Sequence, residues 1–494
     1  MVGRARGAVL LGIDARCVEV EVDLPGGLPT IAAVGLPGST VREGIDRIRA
    51  ALRHCGFRLP DGRIVVNLAP ADLRKQGAAL DLPIATALLI ASGQIPPLDD
   101  DWLFAGELAL DGTVRAVRGA LSLALLAARS GRSRVVLPRD NAAEAALVGG
   151  VEVHAVGHLN EMRAVVSGQA TSIRRADVER ALDEPDRAGP DLADIRGQAG
   201  ARRALEIAAA GAHHLLLSGP PGAGKSMLAR RLAGILPPMT IDEALTVTTI
   251  HSAAGIVREL VTRRPFRAPH HGISLAGLTG GGPSIRPGEI ALACHGVLYL
   301  DELTEFKRDV LESLRQPLED ARITIVRVHG AATFPAEFSL VASMNPCNCG
   351  FHGSPDGRCS CSPAEIRRYL ARLSGPLLDR FDLMVDVPPI ELSALGRAAT
   401  GECSAVVRER FGADGSNCNA RMGPAELDRH AVLDRDARRL LLVAGERMGL
   451  SARGFDRVRR VARTLADLEG RETLAVSDVA EALQYRQSAT LGRE

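Results

Sequence analysis

Apolar residues follow two rhythms along this chain, and the change from one to the other marks its organisation. Residues 8–24 (AVLLGIDARCVEVEVDL), 63–70 (RIVVNLAP) and 133–138 (SRVVLP) carry the short apolar and alternating patterns of strands. Residues 41–56 (VREGIDRIRAALRHCG) and 80–93 (LDLPIATALLIASG) carry helical spacing. Together they predict a mixed α/β unit over residues 1–167. Residues 168–192 are polar and weakly periodic, and read as a linker.

A second block, 193–390, is built around short apolar runs. HHLLLSG (213–219), VLYL (297–300) and FSLVASMNP (338–346) read as strands, and MLARRLAGIL (227–236) as a helix. ARITIVRVHGAATFPAEF (321–338) reads as a β-hairpin. Residues 391–424 are rich in Gly, Asn and Ser and partly loop-like. From 425 to 490 the spacing turns helical, with Ser451 placed to cap the middle helix. Residues 391–494 are therefore expected to form a helical C-terminal unit. No short-period repeat occurs.

Composition narrows the picture. The chain has 494 residues, 46% of them hydrophobic, enough for several domains with full cores. Net charge is +1, so no bulk field points to nucleic acid or membrane, and any such contact must come from local patches. No apolar run reaches membrane-spanning length, and the N-terminus reads as a first strand rather than a signal peptide. Nine cysteines, four of them in one tight cluster, do not make a secreted disulfide framework. The expected location is a reducing cytoplasm. Lysine occurs only at Lys75, Lys225 and Lys307.

That scarcity sharpens one motif. Residues 219–226 (GPPGAGKS) fit G-x-x-x-x-G-K-[ST], between a predicted strand and a predicted helix. Gly219, Pro220, Pro221, Gly222, Ala223 and Gly224 would form the loop around a polyphosphate at a helix N-terminus, its glycines letting the backbone bend so that N–H groups face the phosphates. Lys225 would reach the β- and γ-phosphates of ATP, and Ser226 would ligate Mg²⁺. Asp301 and Glu302 end the VLYL strand. Asp301 suits the Mg²⁺ shell and Glu302 the polarisation of an attacking water. Asn345, at the end of the next strand, can orient that water, or can simply form a turn before Pro346. Arg380 in GPLLDRFDL (375–383) is expected on a short exposed turn. There it serves either as an arginine finger toward a neighbouring subunit or as a surface ion pair with Asp379 or Asp382. Arg453 opens a C-terminal helix, as a phosphate contact from a lid or as a solvated helix charge.

These motifs stand in the order of an AAA+ ATPase, and residues 194–214 resemble the segment that packs around adenine in that class. PFRAPHHGISLAGLTGGGPSIRPGEIALACHGVLYLDEL (265–303) resembles the magnesium-chelatase-related branch. The opening AVLLGIDARCVEVEV, then VNLAPADLRKQGAALDLPIA, PFRAPHH, NPCNCG and RLSGPLLDRFD are similar to the YifB/ComM family from end to end. The resemblance implies a central P-loop parallel sheet with helices on both faces and a C-terminal helical lid. It also implies a hexameric, ATP-driven DNA helicase that moves branched DNA. A chelatase-like motor remodelling a protein partner is the alternative. One departure is the shortened segment 412–422.

Residues 103–141 and 151–166 resemble the proteolytic domain of Lon. That chemistry needs a serine activated by a lysine. Ala78 and Ala79 occupy the serine's candidate positions, the lysine would fall near Leu121 or Ser122, and no lysine lies between Lys75 and Lys225. A binding or assembly module is expected instead. Cys347, Cys349, Cys359 and Cys361 (C-x-C-x9-C-x-C) could close a zinc site, with His352 spare, or could be reduced thiols on a loop. Two segments suit a DNA-lined pore. One is 263–282, with Arg263, Arg264, Phe266, Arg267, His270 and His271. The other is the 321–338 hairpin, with Arg322, Arg327 and His329. The histidine pair is equally read as local hydrogen bonding.

Overall fold

The computed structural model describes all residues except 1, 29, 174–177, 184–188, 283–284, 328–329, 355–356, 390–400, 412–417 and 487–494. His329 and parts of the 168–192 and 391–424 segments lie outside the described residues.

The N-terminal strand pattern folds as two strands rather than one. Gly3–Leu11 and Asp14–Asp23 pair antiparallel, turning at Gly12 with φ +69°. Apolar residues continue on both sides of the turn, Leu10 and Leu11 before it and Ile13 after it, which is why the segment reads as continuous in sequence. Asp14–Asp23 pairs next with Ile64–Ala69, and that strand with Ile31–Val34, completing a four-stranded sheet. A three-stranded parallel sheet follows: Trp102–Phe104, Arg134–Pro138 and Glu152–Val156. The helix Asp81–Ala91 is buried along its whole length and packs on the first two strands. A helix apolar on every side has no solvent face to offer, so it becomes core. Part of the expected linker is helical: Val178–Asp183 forms a turn and a half whose Val178 is buried.

The central block is a five-stranded parallel sheet. Its order is Phe266–Arg267, Val297–Leu300, Ser339–Met344, Leu215–Ser218, Leu383–Asp386. Strands buried on both faces read as unbroken apolar runs, and LLLS and VLYL are entirely buried. Helices Ala199–Gly211 and Lys225–Ile235 pack beside it. Arg322–Arg327 and Gly330–Pro335 form the expected hairpin.

The C-terminal helices include Pro424–His430, Arg435–Met448, Ala452–Leu468 and Val476–Gln484. Ser451 caps the third, accepting from the Gly454 N–H at 3.1 Å. That helix buries Val458, Val461, Ala462, Leu465 and Ala466, a stripe at helical spacing, and packs against Ala199–Gly211. No helix among the described residues is long and apolar enough to cross a membrane.

Candidate functional site

Leu215–Ser218 delivers the chain into the GPPGAGKS loop, and the helix begins at Lys225. Gly222 (φ +79°) and Gly224 (φ +88°) take left-handed conformations that residues with a Cβ resist. Gly219 is needed for closeness instead: a Cβ there would lie 2.3 Å from the Val387 carbonyl oxygen. Lys225 Nζ donates to the carbonyls of Gly219 (2.6 Å) and Pro220 (3.0 Å) and to Asn345 Oδ1 (3.1 Å). Burial pulls its ammonium below the usual range.

The acidic pair closes the Val297–Leu300 strand. Asp301 accepts from Ser226 Oγ at 2.9 Å on one oxygen and from Ser343 Oγ on the other. Burial alone would raise the Asp301 carboxyl, but the hydrogen bonds from Ser343 and Ser226 outweigh it and hold the group ionised below its ordinary range. Glu302 stands exposed beside it, in a left-handed conformation (φ 54°). Pro221 to Met227, Asp301, Glu302, Ser343, Met344 and Asn345 line one cavity of about 400 Å³. A cation flanked by loop N–H groups, a carboxylate held ionised and a second, exposed carboxylate can hold a triphosphate with its metal and polarise a water.

Two residues of this site escaped the sequence reading. Ser343 comes from the same strand end as Asn345. The two-residue period of a strand places both on one side, and that was the available signal. His271 Nδ1 lies 3.6 Å from Glu302 Oε2. The histidine pair therefore divides: His270 accepts the local Gly272 N–H at 3.0 Å, while His271 faces the acidic pair.

Other expectations need correction. Arg380 is not exposed. It is 5% accessible, its guanidinium paired with Glu319 and donating to the Pro376 carbonyl, so its charge is satisfied inside the fold. The expected surface partners, Asp379 and Asp382, do not take it. Arg453 is exposed and reaches the same Glu319 at 3.3 Å. Neither arginine lines the phosphate cavity. Arg267 does not present a free guanidinium to a pore, because Glu289 holds two of its three nitrogens, each at 2.7 Å. Arg264 is likewise committed to Glu243 and to the carbonyls of Pro237 and His295.

The four clustered cysteines converge. Their sulfurs all lie within 4.8 Å of one another, with Cys347–Cys349, Cys347–Cys359 and Cys349–Cys359 at 3.3, 3.8 and 3.7 Å. Zinc–sulfur bonds of about 2.3 Å at tetrahedral angles put sulfurs about 3.8 Å apart, so the donor set fits zinc. His352 is not part of it. In the N-terminal unit, Ser122 is buried and donates to the Ile13 carbonyl at 2.6 Å, and Lys75 is buried against the Pro70 carbonyl. No serine–lysine pair forms among the described residues.

A phosphate loop on one parallel strand, an acidic pair two strands away and an asparagine on the strand between define a P-loop ATPase of the AAA+ class. Family models agree: "Magnesium chelatase, subunit ChlI" matches residues 191–395, "Subunit ChlI of Mg-chelatase" 20–141, and "Magnesium chelatase, subunit ChlI C-terminal" 391–486. The chain is 44% identical to an uncharacterized protein of Mycobacterium tuberculosis, covering 98% of this chain and 99% of the relative. It is 43% identical to competence protein ComM of Haemophilus influenzae (97% and 96%) and 41% identical to uncharacterized protein YifB of Escherichia coli (96% and 95%). The chain belongs to the YifB/ComM family of magnesium-chelatase-like AAA+ ATPases.

Ser343→Ala removes a donor that keeps Asp301 ionised. The Asp301 pKa should rise, so the acid limb of the ATPase pH profile should move to higher pH. An unmoved limb with an otherwise ordinary rate assigns Ser343 a packing role only.

Proposed function

We propose that this chain is an ATP-driven motor acting on DNA, working as a homo-oligomer, as a hexameric ring in the resemblance, in the cytoplasm. The observation that carries the ATPase half is the single cavity uniting Lys225, Ser226, Asp301, Glu302 and Asn345. In this reading the loop from Gly219 to Gly224 cradles the phosphates and Lys225 exchanges its carbonyl partners for them. Ser226 and Asp301 hold Mg²⁺, Glu302 polarises water and Asn345 orients it. The DNA half is supported by near full-length likeness to a competence protein and by Arg322 and Arg327, exposed on the hairpin. The alternative, a motor remodelling a protein partner, draws on the magnesium-chelatase likeness.

Arg380 acts in trans in this proposal, and its cis contact with Glu319 yields to a neighbour's γ-phosphate on assembly. Arg453, on the same glutamate, joins it from the lid. The four cysteines hold one zinc ion with a structural role, a closed thiolate site offering no open position.

ATPase rates with single-stranded, duplex and branched DNA, each against no DNA, test the motor. Stimulation is expected. Equal rates in all four samples transfer the reading to a protein partner. Glu302→Gln should bind ATP yet lose at least about a hundredfold in turnover, the scale of a general-base contribution, whereas Lys225→Ala should lose both.

Mixing Lys225→Ala subunits with Arg380→Ala subunits should recover part of the hydrolysis, since mixed interfaces carry one intact loop and one intact finger. Full activity in a demonstrably monomeric sample rules out the trans role.

Elemental analysis of chelator-free protein should find about one zinc per chain, consistent with a single tetrathiolate site. Metal-free folded protein with all four thiols titratable rejects it.

A further inference from the structure

A cavity larger than the nucleotide site lies elsewhere in the molecule. It is a cleft of about 520 Å³ between the N-terminal α/β unit and the central block, and it adjoins a second cavity of about 300 Å³. The two share Ala116, Val117, Arg118 and Arg286, which stand where they meet. Arg118 enters from the N-terminal unit and Arg286 from the central block. Neither guanidinium has a hydrogen-bond or ion-pair partner among the described residues. Their charges face one another: burial, and then the charge of Arg286, pull the Arg118 guanidinium below its usual range. Two unpaired like charges held together in a half-enclosed place are unfavourable without an anion between or beside them.

The surroundings say which kind of anion. Arg74, Arg118, Arg286 and Arg327 line the larger cavity against one carboxylate, Glu107, and Arg258 lines the far end of the smaller one. Cationic groups spaced along a groove match a chain carrying a charge at every unit, not a single carboxylate. Leu10 and Leu11 add apolar lining, and so do Ala78 and Ala79, which occupy the candidate serine positions in the Lon resemblance. The groove also begins at the hairpin. Gly12 lies so close to the hairpin's second strand that a Cβ there would come within 2.6 Å of Ala332 Cβ, and Arg327 lines the cleft from the tip.

We propose that this cleft binds the phosphodiester backbone of a single DNA strand, with Arg118 and Arg286 on its phosphates, receiving the strand from the Arg327 hairpin. The proposal rests on the DNA reading above. It extends that reading to a site outside the hairpin, and it makes the protease-like unit a track that guides the strand without cleaving it.

The test uses the full chain with a slowly hydrolysed ATP analogue and a fluorescein-labelled oligothymidylate, read by anisotropy across salt. Each single-strand phosphate contact contributes a slope of about 0.7 in log affinity against log salt. Arg118→Ala with Arg286→Ala should therefore flatten the slope by about 1.4 and weaken binding about 25-fold at about 0.1 M salt, converging with wild type near about 1 M. The corresponding double lysine variant should retain most of the affinity. Photo-crosslinking of a 4-thiothymidine oligonucleotide to the wild-type protein needs no variant to fold, and should place adducts beside Arg118 and Arg286. If wild type binds DNA while the double alanine variant keeps its affinity and slope, or if adducts fall only elsewhere, the cleft is wrong and the DNA motor stands. If wild type binds no DNA, both fall. An acidic peptide that binds wild type in an Arg118-dependent way while the oligonucleotide does not would assign the cleft to a protein partner and overturn the proposal.

Discussion

The nucleotide site depends on the register of three parallel strands. Leu217 lies opposite Ser343, and Leu300 opposite Ala342. The Gly219 N–H carries the ladder one step further, to the Met344 carbonyl at 3.2 Å. This pairing brings the phosphate loop, the acidic pair and Asn345 to one edge of the sheet, although they are far apart in sequence. A slip of one residue would turn every side chain to the opposite face and part Ser343 from Asp301. The apolar runs that look unremarkable in sequence thus carry the site's polar groups at their ends, and the backbone ladder between them sets the geometry of those groups.

Within that frame the charges are sorted by whether they find partners. Lys225 leans on loop carbonyls and on Asn345, neutral acceptors that a phosphate can displace. Arg267 and Arg380 are bound to carboxylates, Glu289 and Glu319, and so are withdrawn from any anion until something competes. Arg118 and Arg286 have no such partner among the described residues. A net charge of +1 therefore conceals an uneven distribution in which some arginines are neutralised locally and others, among the described residues, are not. Affinity for a polyanion follows the second group, not the total.

The same sorting explains what could be read from the sequence. The phosphate loop was legible because its glycines, lysine and serine are contiguous and each has a local reason to be there. Strand and helix positions in the central block were legible because unbroken apolar runs have few other uses. The N-terminal hairpin was not, since apolar residues flank Gly12 on both sides and no cluster of turn residues marks the reversal. Arg380 was misread because its partner, Glu319, is distant in sequence, and nothing local shows that the turn is covered. Glu289 hid Arg267 in the same way. His271 could not be assigned because its meeting with Glu302 is a product of the tertiary fold alone. The two arginines of the cleft come from different units, and neither segment carries a motif.

The cysteine loop ties these levels together. It leaves the Ser339–Met344 strand directly after Asn345 and Pro346, and it returns across the phosphate loop. At Gly350 (φ +87°) a Cβ would lie 2.7 Å from Pro221 Cδ. Asn345 is thus held on one side by the sheet and on the other by a loop that has no strand pairing of its own among the described residues. A loop of that kind fluctuates unless it is cross-linked, and fluctuation there would be passed on to both Asn345 and Pro221. The zinc proposed for the four thiolates would remove that freedom without occupying the phosphate cavity. In that proposal the metal's contribution is mechanical: it would keep Asn345 and the phosphate loop at a fixed separation, and the sheet register makes that separation the useful one.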